Sequence, residues 1–272
     1  MSNFVAAKQQ KGFQEVVKLG TVTKYAAMSL VNLGAREDYS GDTANEELVL
    51  VILSGKCNIT VGQQRFTDLG ERKDVFSGKA TAVYVPIHSA FRIEEAGGQT
   101  AEIAILAAYA ERKFAPFVVR PGDIVSQQRG TLNFRRDIHD VVIEKYEGLV
   151  DRIIVGETIA YPGNWTSFPS HKHDTFNPPE ETDMEEIYHY RVKPTEGFGV
   201  QIVYTDDLST REAYMIKDGD TVAIPKGYHP MAAAPGHQLY YLWVMAGPHG
   251  RAMMPRDDPK TAWLSNLPPL FK

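Results

Sequence analysis

Ser170-His171-Lys172-His173-Asp174, followed by Met184-Glu185-Glu186-Ile187-Tyr188-His189-Tyr190, is the stretch on which the reading of this chain turns. On a β-strand, residues i and i+2 share a side. His171 and His173 then aim two imidazoles at one point while Lys172 faces away. A carboxylate on a neighbouring strand supplies a third ligand. His229, in Pro225-Lys226-Gly227-Tyr228-His229, supplies a fourth. Alternation puts Glu186, Tyr188 and Tyr190 on one face and Glu185, Ile187 and His189 on the other. Glu186 is preferred as the ligand, with Glu185 left open. One histidine alone is more often a core or surface residue than a ligand. Three at barrel-compatible spacing with a glutamate reverse that weighting. His88, His139, His237 and His249 lack such partners and keep ordinary roles.

The bulk of the chain allows such a centre and excludes other classes. Its 272 residues suffice for one large domain or two ordinary ones. A net charge of −5 with no basic block argues against a nucleic-acid partner. The single cysteine, Cys57, alternates with Ile59 and Val61 and reads as a buried core thiol, so no internal disulfide forms. The first residues carry no apolar signal core. The longest apolar run, 48–53, is too short to span a bilayer. The expectation is a cytoplasmic protein with no membrane partner.

Outward from the histidines, short apolar runs alternate with glycine and polar turns. Strands are expected at 48–53, 56–61, 82–85 and 102–108. A second set is expected at 152–159, 186–192, 200–204, 213–216, 221–224 and 239–245. The segment 101–112 is the nearest approach to a helix, and strand is preferred there too. The pattern predicts an all-β fold of two small β-barrels with extended terminal segments. Residues 1–20 are expected as an N-terminal arm or edge strand, 21–115 as a first barrel, 116–150 as a connector rich in loop chemistry, and 151–272 as a second barrel with a tail. The halves look duplicated. Val83-Tyr84-Val85-Pro86 parallels Val222-Ala223-Ile224-Pro225, and Glu47 precedes Pro86 by 39 positions, as Glu186 precedes Pro225. Glu46 and Glu185 pair equally well. The first half has no His-x-His, so a complete metal site is expected only in the second.

Gly163, His171-x-His173, a glutamate and Gly219-x5-Pro225-x-Gly227-Tyr228-His229 together resemble the two-part signature of the cupin fold, which makes the chain a tandem cupin, or bicupin. The resemblance sharpens with Gly197-Phe198-Gly199-Val200-Gln201-Ile202-Val203-Tyr204-Thr205-Asp206-Asp207 and Tyr240-Tyr241-Leu242-Trp243-Val244-Met245-Ala246-Gly247-Pro248. From about 155 to 263 the chain is similar to the 5-deoxy-glucuronate isomerase family, the inositol-catabolism branch of the bicupin uronate isomerases. Trp243 departs from the pattern where a small polar residue is expected, and His189 interrupts a tyrosine-rich strand.

The resemblance implies aldose–ketose isomerisation of 5-deoxy-glucuronate to 5-dehydro-2-deoxy-gluconate. It implies one divalent metal on His171, His173, Glu186 and His229, with zinc placed ahead of manganese, iron and nickel. Tyr188 is the first candidate to shuttle the proton because it shares Glu186's face, and Lys172 the second. Tyr190, Arg191, Lys226 and Arg251 are candidates to bind the sugar acid. Three rival readings remain: a pectin-type uronate isomerase, a metal-dependent dioxygenase and a non-catalytic sugar-binding bicupin. A homo-oligomer is expected from the broad β faces.

Overall fold

The structure, a computed structural model, describes residues 3–267. These residues hold 25 strands, three short 3-10 turns and no α-helix. Among the described residues no helix is long and apolar enough to cross a membrane. The last residues of the expected tail, and the first two of the expected arm, lie outside the described residues.

Each half pairs a large antiparallel sheet with a smaller one. In the first half, Phe117–Val119, Thr81–Val85, Glu46–Ser54, Ala101–Tyr109, Ala26–Leu33 and Gly12–Val17 lie side by side, and Asp38–Asp42, Ala90–Glu95, Cys57–Val61 and Gln64–Leu69 form the smaller sheet. In the second, Phe4–Val5, Thr221–Ile224, Glu185–Lys193, Gln238–Ala246, Ile154–Ala160, Arg136–Val142 and Val125–Arg129 form seven strands. Trp165–Thr166, Met231–Ala233, Gly199–Tyr204 and Arg211–Ile216 form the smaller sheet. Every expected strand is present, and 101–109 is strand rather than helix.

The central strands are continuously apolar because both of their faces are covered. Along Glu46–Ser54, Leu48, Leu50 and Ile52 enter the interior of their own half with Ile59, Ile93 and Ile103. Val49, Val51 and Leu53 instead meet Ile187, Leu242 and Val244 of the other half. Each such side chain, fully buried, contributes about 1.5–3 kcal/mol. The two large sheets thus pack back to back, and their outward faces make a second core.

Paired carboxylates mark that junction. Glu47 accepts the backbone N–H of Asp151, Arg152 and Ile153 at 2.8, 2.5 and 2.8 Å. Glu185 accepts those of Lys24 and Tyr25 at 2.6 and 2.8 Å. Arg72 and Glu157 form a buried ion pair between the halves at 2.6 Å, and the Tyr240 hydroxyl donates to the same carboxylate.

This geometry corrects the repeat by one residue. Leu48 stands opposite Val85, and Glu186 opposite Ile224. The counterpart of Glu186 is therefore Leu48, and Glu47 plays the part of Glu185. A shift of one position turns a strand's side chains over, so the equal spacing to the two prolines pairs residues on opposite faces.

Sequence division and structural units also differ. Phe4–Val5 of the arm adds to the edge of the second half's sheet, beside Thr221–Ile224. Within 116–150, Val125–Arg129 and Arg136–Val142 are full members of that sheet.

Candidate metal centre

His171 opens a two-residue strand, His171–Lys172, that pairs with Arg256–Asp257 of the tail. His173 follows at once, Glu186 lies near the start of Glu185–Lys193, and His229 sits in the loop after Thr221–Ile224. The ligand atoms of His171, His173 and His229 all lie within 4.8 Å of one another, and no other such group occurs among the described residues. Glu186 Oε2 is 3.2 Å from His173 Nε2 and 3.3 Å from His229 Nε2. Glu185 points the other way, into the junction described above.

The outer nitrogen of each ring is tied down. Nδ1 of His173 lies 2.8 Å from the Met184 carbonyl, that of His229 is 2.9 Å from Gly227 O, and that of His171 is 3.3 Å from Pro169 O. A carbonyl only accepts, so each Nδ1 carries the hydrogen and each Nε2 keeps its lone pair. This is the orientation metal-bound histidines take. His229 Nε2 is buried with no hydrogen-bond partner. An orphaned buried acceptor beside two further imidazoles and a carboxylate fits a divalent cation with three nitrogen donors and one oxygen donor.

The electrostatics agree. Burial, with the neighbouring His229 and His173, holds the His171 pKa down to about 3, so its lone pair is available. Burial would raise the Glu186 carboxyl, but the His173 and His229 imidazoles beside it hold it at about 2. Burial acts to lower His173 while Glu186 wins and raises it.

The centre opens into a cavity of about 300 Å³. Tyr188, Tyr241, Trp243 and Met245 line it, with Met253, Met254 and Pro255 of the tail. The Tyr188 hydroxyl bonds Ser167 Oγ at 3.0 Å, and Tyr241 bonds Thr166 at 2.7 Å. Trp243 donates to Thr158 at 3.1 Å and stacks over Gly156, where a Cβ would fall 2.0 Å from the indole. The first half offers no equivalent: Leu48 fills the place of Glu186 in an apolar core.

Of the other expected site residues, only Tyr188 lines this cavity. Lys172 is buried with its ammonium on Asp174 and Glu181, at 2.5 and 2.9 Å. Burial acts to lower its pKa, but those carboxylates raise it, so it stays a fixed cation rather than a base. Tyr190 is buried and donates to Gln201 at 2.8 Å. Arg191 faces the first half, pairing with Glu102 and Asp218 beside a separate cleft of about 590 Å³. Arg251 donates to Ile153 O, Glu147 and Ile143 O at 3.1, 2.8 and 2.8 Å, a brace between loops. Lys226 is exposed and is not among the lining residues. His189 faces the junction and bonds Thr221 at 2.9 Å.

Sequence reasoning missed Arg129, Arg136 and Asp140, all of which line the cavity. They come from the segment read as a connector. The one available signal was the alternation of Arg136, Ile138 and Asp140.

Comparison with known proteins places this geometry. The chain is 36% identical over 242 residues to a 5-deoxy-glucuronate isomerase of Geobacillus thermodenitrificans, covering 89% of this chain and 86% of the relative. It is 34% identical to one of Lacticaseibacillus casei, covering 92% of each. The crystal structure of an iolb-like protein from Salmonella typhimurium superposes with a TM-score of 0.92 at 29% identity, over 97% of this chain and 99% of that one. Oxalate decarboxylase of Lactobacillus farciminis shares the fold at a TM-score of 0.66 and 11% identity, covering 94% and 87%. The bicupin expectation for the fold therefore holds. The model of the KduI/IolB family matches residues 3–264, and the chain belongs to that family.

Proposed function

We propose that this protein is a metal-dependent aldose–ketose isomerase that converts 5-deoxy-glucuronate to 5-dehydro-2-deoxy-gluconate in the cytoplasm. The observation that carries the reading is the convergence of three imidazoles and Glu186 beside a cavity that His171, His173 and Glu186 line, in a chain whose curated relatives bear that enzyme's name. His171, His173, Glu186 and His229 would hold the ion, zinc first by its match to the donor set.

The reaction moves a hydrogen from C2 to C1 and a proton from O2 to O1, with no net oxidation. A divalent ion held by these residues supplies Lewis-acid stabilisation of negative charge on the sugar oxygens. The chain does the rest. The Tyr188 hydroxyl, anchored on Ser167 in the lining of the cavity, would give and take the oxygen-bound proton. Trp243, Met245 and Met253 keep the sugar's apolar edge dry, which strengthens every charge interaction inside. Glu186 is committed to the ligand cluster, and Lys172 to its two carboxylates.

The test is replacement of His171 by alanine, with bound metal measured by elemental analysis beside turnover of 5-deoxy-glucuronate and of a pectin-derived hexuronate. Loss of both metal and turnover is expected, with preference for the deoxy substrate in the unmodified protein. Full retention of both would remove the reading.

A further inference from the structure

Two arginines line the same space as His171, His173 and Glu186, and neither forms an ion pair among the described residues. Arg129 is exposed and spends its Nε and Nη2 on Gln127 Oε1, at 3.3 and 3.0 Å, whereas Arg136 is half-buried and keeps that edge free. Its Nη1 donates to Phe134 O at 3.3 Å and Phe168 O at 2.9 Å. Its Nε and Nη2 make no hydrogen bond to any described residue. Those two nitrogens form the edge of guanidinium that grips a carboxylate through two parallel bonds. Arg191 and Arg251, by contrast, are each matched by an acid.

Its surroundings deepen the imbalance. Removal from water lowers the Arg136 pKa, Arg129 adds repulsion, and among the groups that oppose this the one aspartate is Asp257. Asp257 is engaged by Ser265 at 3.2 Å. Asp140, the nearest acid on the same strand face, takes its hydrogen bond from Gln127 at 2.8 Å. A partly desolvated cation with a free bidentate edge, inside a substrate-sized cavity, calls for an anion from outside.

We infer that Arg136 is the carboxylate anchor: it binds the C6 carboxylate of a uronic acid in this cavity and so selects sugar acids over neutral sugars. The inference rests on the isomerase reading for the identity of the sugar. Its logic needs only a carboxylate-bearing ligand in this cavity. Holding the acid end at Arg136 leaves the aldehyde end for the histidines, so one residue sets both selectivity and orientation. The Phe168 carbonyl that Arg136 also holds lies in the loop leading to His171. A purely structural role must therefore be separated from a binding one.

The experiment compares the metal-loaded protein with R136Q and R136K. Binding of 5-deoxy-glucuronate, and of the neutral aldose with an alcohol at C6, is measured by calorimetry, with turnover of both and metal content alongside. The expected result is about 100-fold weaker binding of the acid by R136Q, little change for the neutral sugar and unchanged metal. R136K should recover part of the loss, since it keeps the charge without the fork. Equal discrimination between acid and neutral sugar in wild type and R136Q would overturn the inference. So would parallel loss of both ligands together with the metal, which marks a loop brace. Acid binding without isomerisation in the wild type would sink the isomerase reading and leave Arg136 standing.

Discussion

Asp174 Oδ2 accepts the backbone N–H of Gly227 at 2.8 Å, so one carboxylate ties the His-x-His segment to the loop that carries His229. Its other oxygen takes the Lys172 ammonium at 2.5 Å. Gly227 in turn offers its carbonyl to His229 Nδ1 and has φ +95, a conformation that suits glycine. Three of the four expected ligands, His171, His173 and His229, thus lie on two chain segments that this carboxylate joins.

Asp174→Ala should therefore weaken metal binding by about 10- to 100-fold without touching a ligand. Asp174→Asn, which can still accept from Gly227, should lose less. Competition against a chromophoric chelator measures both. Equal affinity in all three proteins would show that the two segments hold their positions independently.

Neighbouring glutamates should fail in opposite ways. Glu186→Gln should lose bound metal while its denaturant midpoint changes little. Glu185→Ala should keep the metal and lose about 1–3 kcal/mol of stability, because the Lys24 and Tyr25 N–H groups lose their acceptor. Elemental analysis and urea titration on the same two variants decide the matter. Metal loss in Glu185→Ala would place the ligand on the wrong face.

How much of this was legible in sequence follows from how local each signal is. Strands such as Glu46–Ser54 and Gln238–Ala246 announce themselves by unbroken apolar runs between turn residues. His171 and His173 are two positions apart, so strand geometry alone pairs them. Glu185 against Glu186 depends on register, and the duplicated prolines misdirect it because one half runs a residue longer between strand and turn. Arg136 was invisible for another reason. Its segment has loop-like neighbours, and only pairing with Ile154–Ala160 brings it beside the histidines. The arginines chosen from sequence lay near the motifs along the chain but face the junction or brace loops.

Asp151 gives the fold a dependence on acid. Burial acts to raise its carboxyl, but the N–H groups of Glu111 and Arg112 and the Arg112 guanidinium, at 2.7, 3.2 and 2.6 Å, outweigh it and hold the pKa below the ordinary aspartate value. In the unfolded chain the group titrates near about 3.9. A carboxyl with a lower folded pKa adds stability above the unfolded value and loses it as pH falls through the folded one. Asp151→Asn should accordingly melt below wild type at pH 7. The gap should narrow as pH falls below the unfolded value and through the lower folded one. Melting curves across that range test it, and a gap constant with pH would mean the asparagine's packing, not its missing charge, sets the difference.

Gly156 and Trp243 make the sharpest steric prediction. Gly156 lies opposite Trp243 across paired strands, and a methyl group there would sit 2.0 Å from the indole Cζ2. The φ of Gly156 is not in the left-handed region, so the demand for glycine is one of space. Gly156→Ala must push the indole off Thr158 and into the cavity. The expected cost is about 1–3 kcal/mol of stability, with a fall in turnover and unchanged metal, since none of the four ligands moves. Adding Trp243→Phe, which frees the volume the methyl needs, should restore much of the stability. If the double variant melts no higher than Gly156→Ala alone, the contact between these two residues is not what forbids a side chain at position 156.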